Sequence, residues 1–152
     1  LLDWEGAIAP LLAANHLYVI GRGLGLGIAQ EAALKCKETC GLHAEAFSSA
    51  ELRHGPQALL QPGFPALLFA QNDEARSGIE ALATELVERG IAVLLAGAAV
   101  KGATVLPSIE AYAAIEPLLL VQSFYRLANA LAIARGRDPD NPPHLRKATE
   151  TL

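Results

Sequence analysis

The sequence predicts an α/β fold in which a parallel sheet carries helices on both faces. Short apolar runs alternate with longer segments of helical periodicity, which is typical of buried parallel strands joined by helical crossovers. A glycine-rich turn follows the first of these runs and opens a helix, as in βαβ units. The chain has 152 residues, 52% of them hydrophobic, and this matches the size and apolar content of one domain.

The apolar runs and the helical segments define the elements. The candidate strands are residues 17–20, 66–70, 91–95 and 103–106. The candidate helices are residues 24–39, 73–89 and 109–135, and the opening segment 3–14 is also helical in pattern. Gly41 stands where a helix would end in a left-handed residue. Pro56 disfavours helical backbone at Gly55, and it therefore predicts a chain break at His54.

The glycine-rich loop, residues 21–27, has two open interpretations. Backbone amides at the start of a helix favour an anion, and Arg22 supports that reading, whereas a tight strand-to-helix turn needs no ligand. The dinucleotide pattern G-x-G-x-x-G fails at Leu26 in one register and at Ile28 in the other, so NAD binding is disfavoured. A P-loop is excluded because Gly-Lys-Ser/Thr does not follow.

Composition excludes several classes of function. The formal net charge of −4 and the pI near 5.5 offer no basic surface for nucleic acid. The apolar run 118–121 is too short to span a membrane, and the chain lacks a leader pattern, so a soluble cytoplasmic protein is expected. Cys36 and Cys40 match no redox or zinc motif and are expected to be small core residues. The chain starts at Leu1 without any Met, and we expect a fragment or a trimmed domain.

Three charged residues share one face of the second predicted helix. Glu31 and Lys35 are four residues apart and Lys35 and Glu38 are three apart, so the side chains form a row. One interpretation is a solvated row of ion pairs. The other is part of a site that a neighbouring subunit or the C-terminal tail completes, because the row is near the end of the helix and ligands of α/β sheets gather near its start.

Three segments together resemble one domain family. They are residues 31–38 (EAALKCKE), 43–56 (HAEAFSSAELRHGP) and 145–151 (LRKATET). They resemble the SIS (sugar isomerase) domain, specifically the C-terminal SIS domain of glucosamine-fructose-6-phosphate aminotransferases and of the related SIS-type glucosamine-6-phosphate deaminases and phosphosugar isomerases. The resemblance covers nearly the whole chain. It implies a parallel sheet in a flavodoxin-like three-layer sandwich, with residues 1–136 as the domain and 137–152 as a tail that completes the active site.

The resemblance also implies a chemistry, the interconversion of fructose 6-phosphate and glucosamine 6-phosphate. Lys147 would hold the ketose carbonyl as an iminium, and His54 would assist opening of the sugar ring. Glu38 would move a proton between C1 and C2, with Lys35 as a nearby charge that orients Glu38 or the sugar. Further expected substrate contacts are Arg22, Gly23 and Ser48; Ser48 and Glu51 also form a capping-box pattern that would only start a short helix.

The same resemblance sets the expected partners. Family members hold the sugar phosphate mainly through a Ser/Thr-rich loop in a partner SIS domain, and the loop 21–27 has no hydroxyl. We therefore expect a second SIS domain to bind the phosphate, and a homodimer in which His54 reaches the neighbouring subunit. No metal, cofactor, nucleic acid or membrane partner is expected. The alternative function is a non-catalytic domain that senses phosphosugars.

Overall fold

The computed structural model describes residues 2–145. Its strands form one parallel sheet in the order β2-β1-β3-β4-β5. The strands are β1 (His16–Gly21), β2 (His43–Ser48), β3 (Ala66–Phe69), β4 (Val93–Ala96) and β5 (Thr104–Leu106). The helices are α1 (Ile8–Leu12), α2 (Leu24–Cys40), α3 (Ser49–Leu52), α4 (Arg76–Glu88) and α5 (Glu116–Ala134), with 3-10 turns at Glu5–Ala7 and Pro56–Leu59.

Two apolar clusters cover the two faces of the sheet. One contains buried residues of α1, α2 and α5, and the other contains Leu52 of α3 and the buried face of α4. Strands β1, β3 and β4 are buried almost throughout, because a parallel sheet covered by helices on both faces leaves neither side of its central strands in water. The predicted α/β sandwich is confirmed.

Several predicted elements differ from the structure. β2 was missed: its outward residues His43 and Glu45 are exposed and alternate with buried Ala44, so this edge strand has no continuous apolar run. The helix predicted from residue 109 starts only at Glu116, followed by Pro117 in the first turn, a position that suits proline. The helix predicted from residue 73 starts at Arg76, because Asp73 Oδ1 accepts a hydrogen bond from the Ala75 amide at 2.8 Å.

Helix α5 is long and apolar enough to cross a membrane by length and composition. One side of it, including Leu120, Phe124, Leu127 and Leu131, is buried in the cluster that also contains α2. A core helix of a folded domain has this same composition, and α5 has that role in the described fold.

Arg135, just after α5, joins three helix ends. They lie at the amino edge of the sheet, meaning the side where the parallel strands begin; the carboxyl edge is the side where they end. Arg135 Nε donates to the carbonyl of Cys40 at 2.9 Å, and its Nη1 donates to the carbonyls of Leu11 and Ala14 at 3.1 and 3.2 Å. Carbonyls at the ends of helices have no partner within the helix, and a cation satisfies them both as a donor and through the helix dipole. The ends of α1, α2 and α5 are thereby held together.

Gly21 and Gly27 provide a matched test of the turn into α2. A Cβ on buried Gly21 would collide with the carbonyl of Gly25, whereas a Cβ on exposed Gly27 meets nothing within 4 Å. We expect Gly21→Ala to lower the free energy of unfolding by about 2 kcal/mol or more, and Gly27→Ala to raise it by about 0.5–1 kcal/mol. Urea unfolding measures both, and equal stabilities for the two variants would contradict this account of the turn.

Candidate functional site

The charged row on α2 is half buried and contacts α5. Lys35 Nζ donates to Glu38 Oε2 at 2.7 Å and is 3.8 Å from Glu31 Oε1. The Tyr125 hydroxyl on α5 donates to the same Glu31 oxygen at 2.9 Å. The side chains of Lys35, Glu31 and Glu38 are 33%, 32% and 20% exposed. This burial is greater than a fully solvated row would show, and it leaves Glu38 the most enclosed of the three.

The ionisation of Lys35 follows from these contacts. The hydrogen bond to Glu38 is the largest cause that raises the pKa of Lys35; burial opposes it, and the charges of Glu38 and Glu31 add to the increase. Lys35 therefore stays protonated near neutral pH. A fixed cation suits the orientation of a carboxylate, and it does not suit nucleophilic attack on a carbonyl, which requires a neutral amine.

The amino edge of the sheet brings the end of α2 against the start of the C-terminal tail. Gly41 is left-handed with φ of 57°, as predicted, and a Cβ there would collide with the Arg137 guanidinium. Arg135 contacts the neighbouring Cys40 carbonyl. The tail thus leaves α5 beside the last turn of α2, the turn that carries Glu38. Lys147, the predicted iminium lysine, lies outside the described residues.

The glycine-rich loop is at the opposite, carboxyl edge and is closed by a buried amide. Gln71, directly after β3, is 1% exposed, and its Nε2 donates to the Arg22 carbonyl and to Asp73 Oδ2, both at 2.8 Å. Gly25 lies so close to Gln71 Oε1 that a Cβ at this position would collide with it. Gln71 was not among the residues singled out from the sequence. It occupies the space against which the loop folds.

An open crevice of about 560 Å³ lies beside this loop, between the ends of β1 and β3. This is the switch point of strand order at which open α/β sheets bind ligands. Its lining residues are Gly23, Leu24, Asp73, Glu74, Tyr112, Ala113 and Ala114. The charged members of this lining are both carboxylates, which repel a phosphate.

His54 is held in an exposed turn on the α4 face of the sheet. Its backbone amide donates to the Glu51 carbonyl at 2.9 Å, and the following Gly55 has φ of 141°, a conformation that favours glycine. Arg53 forms an ion pair with Glu85 of α4 at 2.8 Å, which ties the turn to the α4 face. The predicted chain break at His54 is confirmed.

Ser48 and Glu51 form the predicted capping box at the start of α3. The Ser48 hydroxyl accepts from the Glu51 amide at 3.1 Å, and Glu51 Oε2 accepts from the Ser48 amide at 2.9 Å. These hydrogen bonds are the main cause of the lowered pKa of Glu51, with a smaller contribution from the charge of Arg22. Ser48 is only 8% exposed, and its oxygen already serves the helix.

The structure brings Lys35 and Glu38 together and keeps His54 apart from them. α2 begins at the carboxyl edge, and a rise of about 1.5 Å per residue puts Glu38 roughly 21 Å along its axis. Glu38 lies on the α2 and α5 face, whereas the turn of His54 follows α3 and contacts α4. Within one copy of the domain, the two side chains are therefore on different faces of the sheet.

A protein-family model, described as SIS domain, matches residues 11–99. The chain belongs to the SIS domain family. The chain is 39% identical over 149 residues to a glutamine-fructose-6-phosphate aminotransferase (isomerizing) of Aeropyrum pernix, a match that covers 93% of this chain and 24% of that protein. Similar matches to enzymes of the same name come from Leifsonia xyli and Sulfurisphaera tokodaii, at 38% and 32% identity.

Solved structures agree with this assignment. A putative phosphosugar isomerase from Silicibacter pomeroyi is 41% identical with a TM-score of 0.85. The match covers 91% of this chain and 43% of the isomerase chain. The C-terminal domain of glucosamine-fructose-6-phosphate aminotransferase from Francisella tularensis is 30% identical with a TM-score of 0.83. That match covers 90% of this chain and 40% of the solved chain. This SIS domain thus spans about a quarter of its aminotransferase relatives and about two fifths of these solved chains. It is similar to the SIS domains of proteins with these names.

The bond between Lys35 and Glu38 can be tested directly through the lysine pKa. We expect Glu38→Gln to lower the pKa of Lys35 toward its ordinary value, because the principal raising contact is lost. Glu31→Gln, at 3.8 Å, is the control and should cause a smaller decrease. NMR titration of the lysine 13Cε signal measures both.

The pH dependence of folding stability gives a second readout of the same bond. Since folding raises the pKa of Lys35, the ion pair stabilises the fold below the ordinary lysine pKa, and this contribution is lost as pH rises through the raised value. Glu38→Gln should therefore reduce stability at neutral pH and leave little difference at strongly alkaline pH. An unchanged lysine pKa in Glu38→Gln would show that the bond does not form in solution.

Proposed function

We propose that this domain supplies the acid-base part of an enzyme that interconverts fructose 6-phosphate and glucosamine 6-phosphate. The observation that carries the proposal is the 2.7 Å bond from Lys35 to Glu38 on the half-buried face of α2. Relatives named as isomerizing aminotransferases, together with a solved glucosamine-6-phosphate deaminase from Thermotoga maritima at 31% identity and a TM-score of 0.72, support this reaction class.

Glu38 is proposed as the base that moves a proton between C1 and C2. One base that reaches both carbons can perform this transfer, provided that it is held in place. Lys35 holds Oε2, and within residues 2–145 no hydrogen bond to Oε1 is present, so this oxygen remains for the substrate.

Lys147 is proposed as the amine that forms the iminium with the ketose. The tail begins at the amino edge, where Arg135 and Arg137 contact the end of α2. Ten residues of extended chain reach at most about 33 Å, so the distance from Arg137 to Lys147 allows the tail to fold back over Glu38. This direction of the tail supports a site that contains both side chains.

The sugar phosphate is proposed to bind to a second SIS domain. The crevice at the switch point of this domain is lined by Asp73 and Glu74, and Gln71 fills the glycine-rich loop. Arg22 and Gly23 remain proposed substrate contacts in the glycine-rich loop beside the crevice. Ser48, at the end of the neighbouring strand β2, remains a third. A phosphosugar sensor would need a phosphate site of its own, and the carboxylates make this crevice a poor one.

His54 is proposed to act in the neighbouring subunit of a cytoplasmic homodimer. It is exposed in its turn, and it lies on the opposite face of the sheet from Glu38, so the two do not meet in one domain. An imidazole titrates near neutral pH and can assist the proton transfers of ring opening. A dimer in which His54 crosses the interface would bring the two together.

The catalytic role of Glu38 is testable in the full-length protein. We expect Glu38→Gln to reduce kcat about 10²–10⁴-fold and to change the KM for fructose 6-phosphate about two-fold or less, because the phosphate is held elsewhere. Glu45→Gln, an exposed glutamate on β2, is the matched control and should retain activity. Loss of deuterium incorporation at the transferred hydrogen in D2O identifies the missing step.

The same assay separates the two reaction directions. Ammonia released from glucosamine 6-phosphate indicates a deaminase, and glucosamine 6-phosphate formed only with glutamine indicates a synthase. Turnover by Glu38→Gln equal to that of the unmodified enzyme would disprove the role of Glu38 in either case.

A further inference from the structure

Two histidines meet at the start of neighbouring strands, away from the proposed acid-base residues. His16 and His43 are register partners at the amino ends of β1 and β2. Both are exposed, and their Nδ1 atoms share a hydrogen bond of 3.1 Å. They lie beside Tyr18 and Phe64, which belong to the α4 side of the sheet, whereas Glu38 lies on the opposite face.

The fold holds this pair at a fixed spacing. The ladder of β1 and β2 sets the backbone positions. The His16 ring stacks on Phe64 with a centroid distance of 5.4 Å and an interplanar angle of 22°. Phe64 is itself packed edge-on against Tyr18 at 4.7 Å. The strand pairing therefore sets the spacing of the two backbones, and the stack on Phe64, in the turn before β3, positions the His16 ring.

The observed spacing is close to that of two ligands on one metal ion. Imidazole nitrogens bind zinc at about 2.0–2.1 Å, so two of them on a tetrahedral ion are about 3.3 Å apart. The rings are nearly perpendicular, at 82°, so binding an ion requires their hydrogen bond to break and the exposed rings to turn until both lone pairs face the ion. Glu45, two residues beyond His43 on the same face of β2, adds negative charge that favours a cation.

We propose that His16 and His43 form a surface site for a divalent transition-metal ion that prefers imidazole, such as Ni²⁺, Zn²⁺ or Cu²⁺. Within the described residues 2–145, no group of three or more metal-ligating side chains is present, so water completes the coordination sphere. A bound ion clips the edge strand β2 to β1 and stabilises the folded chain by linkage. Mg²⁺ prefers oxygen ligands and does not bind there.

The test titrates NiCl2 into the untagged full-length protein at pH 7.5, with calorimetry for affinity and thermal unfolding for stability. His16→Asn and His43→Asn should each weaken Ni²⁺ binding on the order of ten-fold or more, because one of two ligands is lost. His144→Asn, an exposed histidine in the tail, is the control and should bind as the unmodified protein does. MgCl2 should give no heat of binding and no thermal shift.

The pH dependence of Ni²⁺ binding and the broadening of histidine NMR signals by Cu²⁺ are two further tests of the site. Lowering the pH to 5 should abolish Ni²⁺ binding, because protonated imidazoles are not ligands. In the unmodified protein, a small amount of Cu²⁺ should broaden the ring NMR signals of His16 and His43 before those of His54 and His144, which tests the site even if a variant does not fold. Broadening that begins elsewhere, or equal Ni²⁺ affinity in all three variants, would overturn the proposal.

Discussion

The parallel pairing of β1 with β2 determines where each polar group of this domain can act. Six register pairs, from His16 with His43 to Gly21 with Ser48, require the connecting helix α2 to run from the carboxyl edge back to the amino edge. The glycine-rich loop at its start and Glu38 near its end are therefore about 20 Å apart. The division of the candidate site into two regions follows from this one constraint.

The two regions differ in chemistry as well as in position. At the carboxyl edge, the buried amide of Gln71 and the carboxylates Asp73 and Glu74 make a poor environment for a phosphate. At the amino edge, Lys35 fixes Glu38, and Arg135 bonds to the end of α2 beside the start of the tail. Within residues 2–145, the row on α2 suits proton transfer and the crevice at the switch point does not suit the anionic end of the substrate, which is the basis for proposing a second domain.

The sequence predicted those parts of the fold that depend on local pattern. β1, β3 and β4 are buried apolar runs, Gly41 ends its helix in a left-handed conformation, and Ser48 with Glu51 forms a capping box. These features depend on neighbours within a few residues. β2 was missed because an edge strand with His43 and Glu45 exposed has no continuous apolar run.

The parts that could not be predicted depend on contacts between distant segments. The Tyr125 hydroxyl donates to Glu31, 94 residues away in sequence. The role of Gln71 in closing the glycine-rich loop becomes evident only from its close contact with Gly25 in the fold. The candidate residues Glu38, His54 and Lys147 came from a family resemblance, since spacing alone could not separate Glu38 from an ordinary surface ion pair. The geometry adds that Glu38 and His54 do not meet within one copy.

Mixing two inactive variants of the full-length protein tests this separation most directly. If Glu38 of one subunit works with His54 of the other, a mixed dimer of Glu38→Gln and His54→Asn contains one site with both residues intact. Random assembly of equal amounts should then restore about one quarter of the unmodified activity, since half of the dimers are mixed and each has one working site of two. Activity no higher than that of the separate variants would contradict the shared site and would require both residues to act from the same subunit.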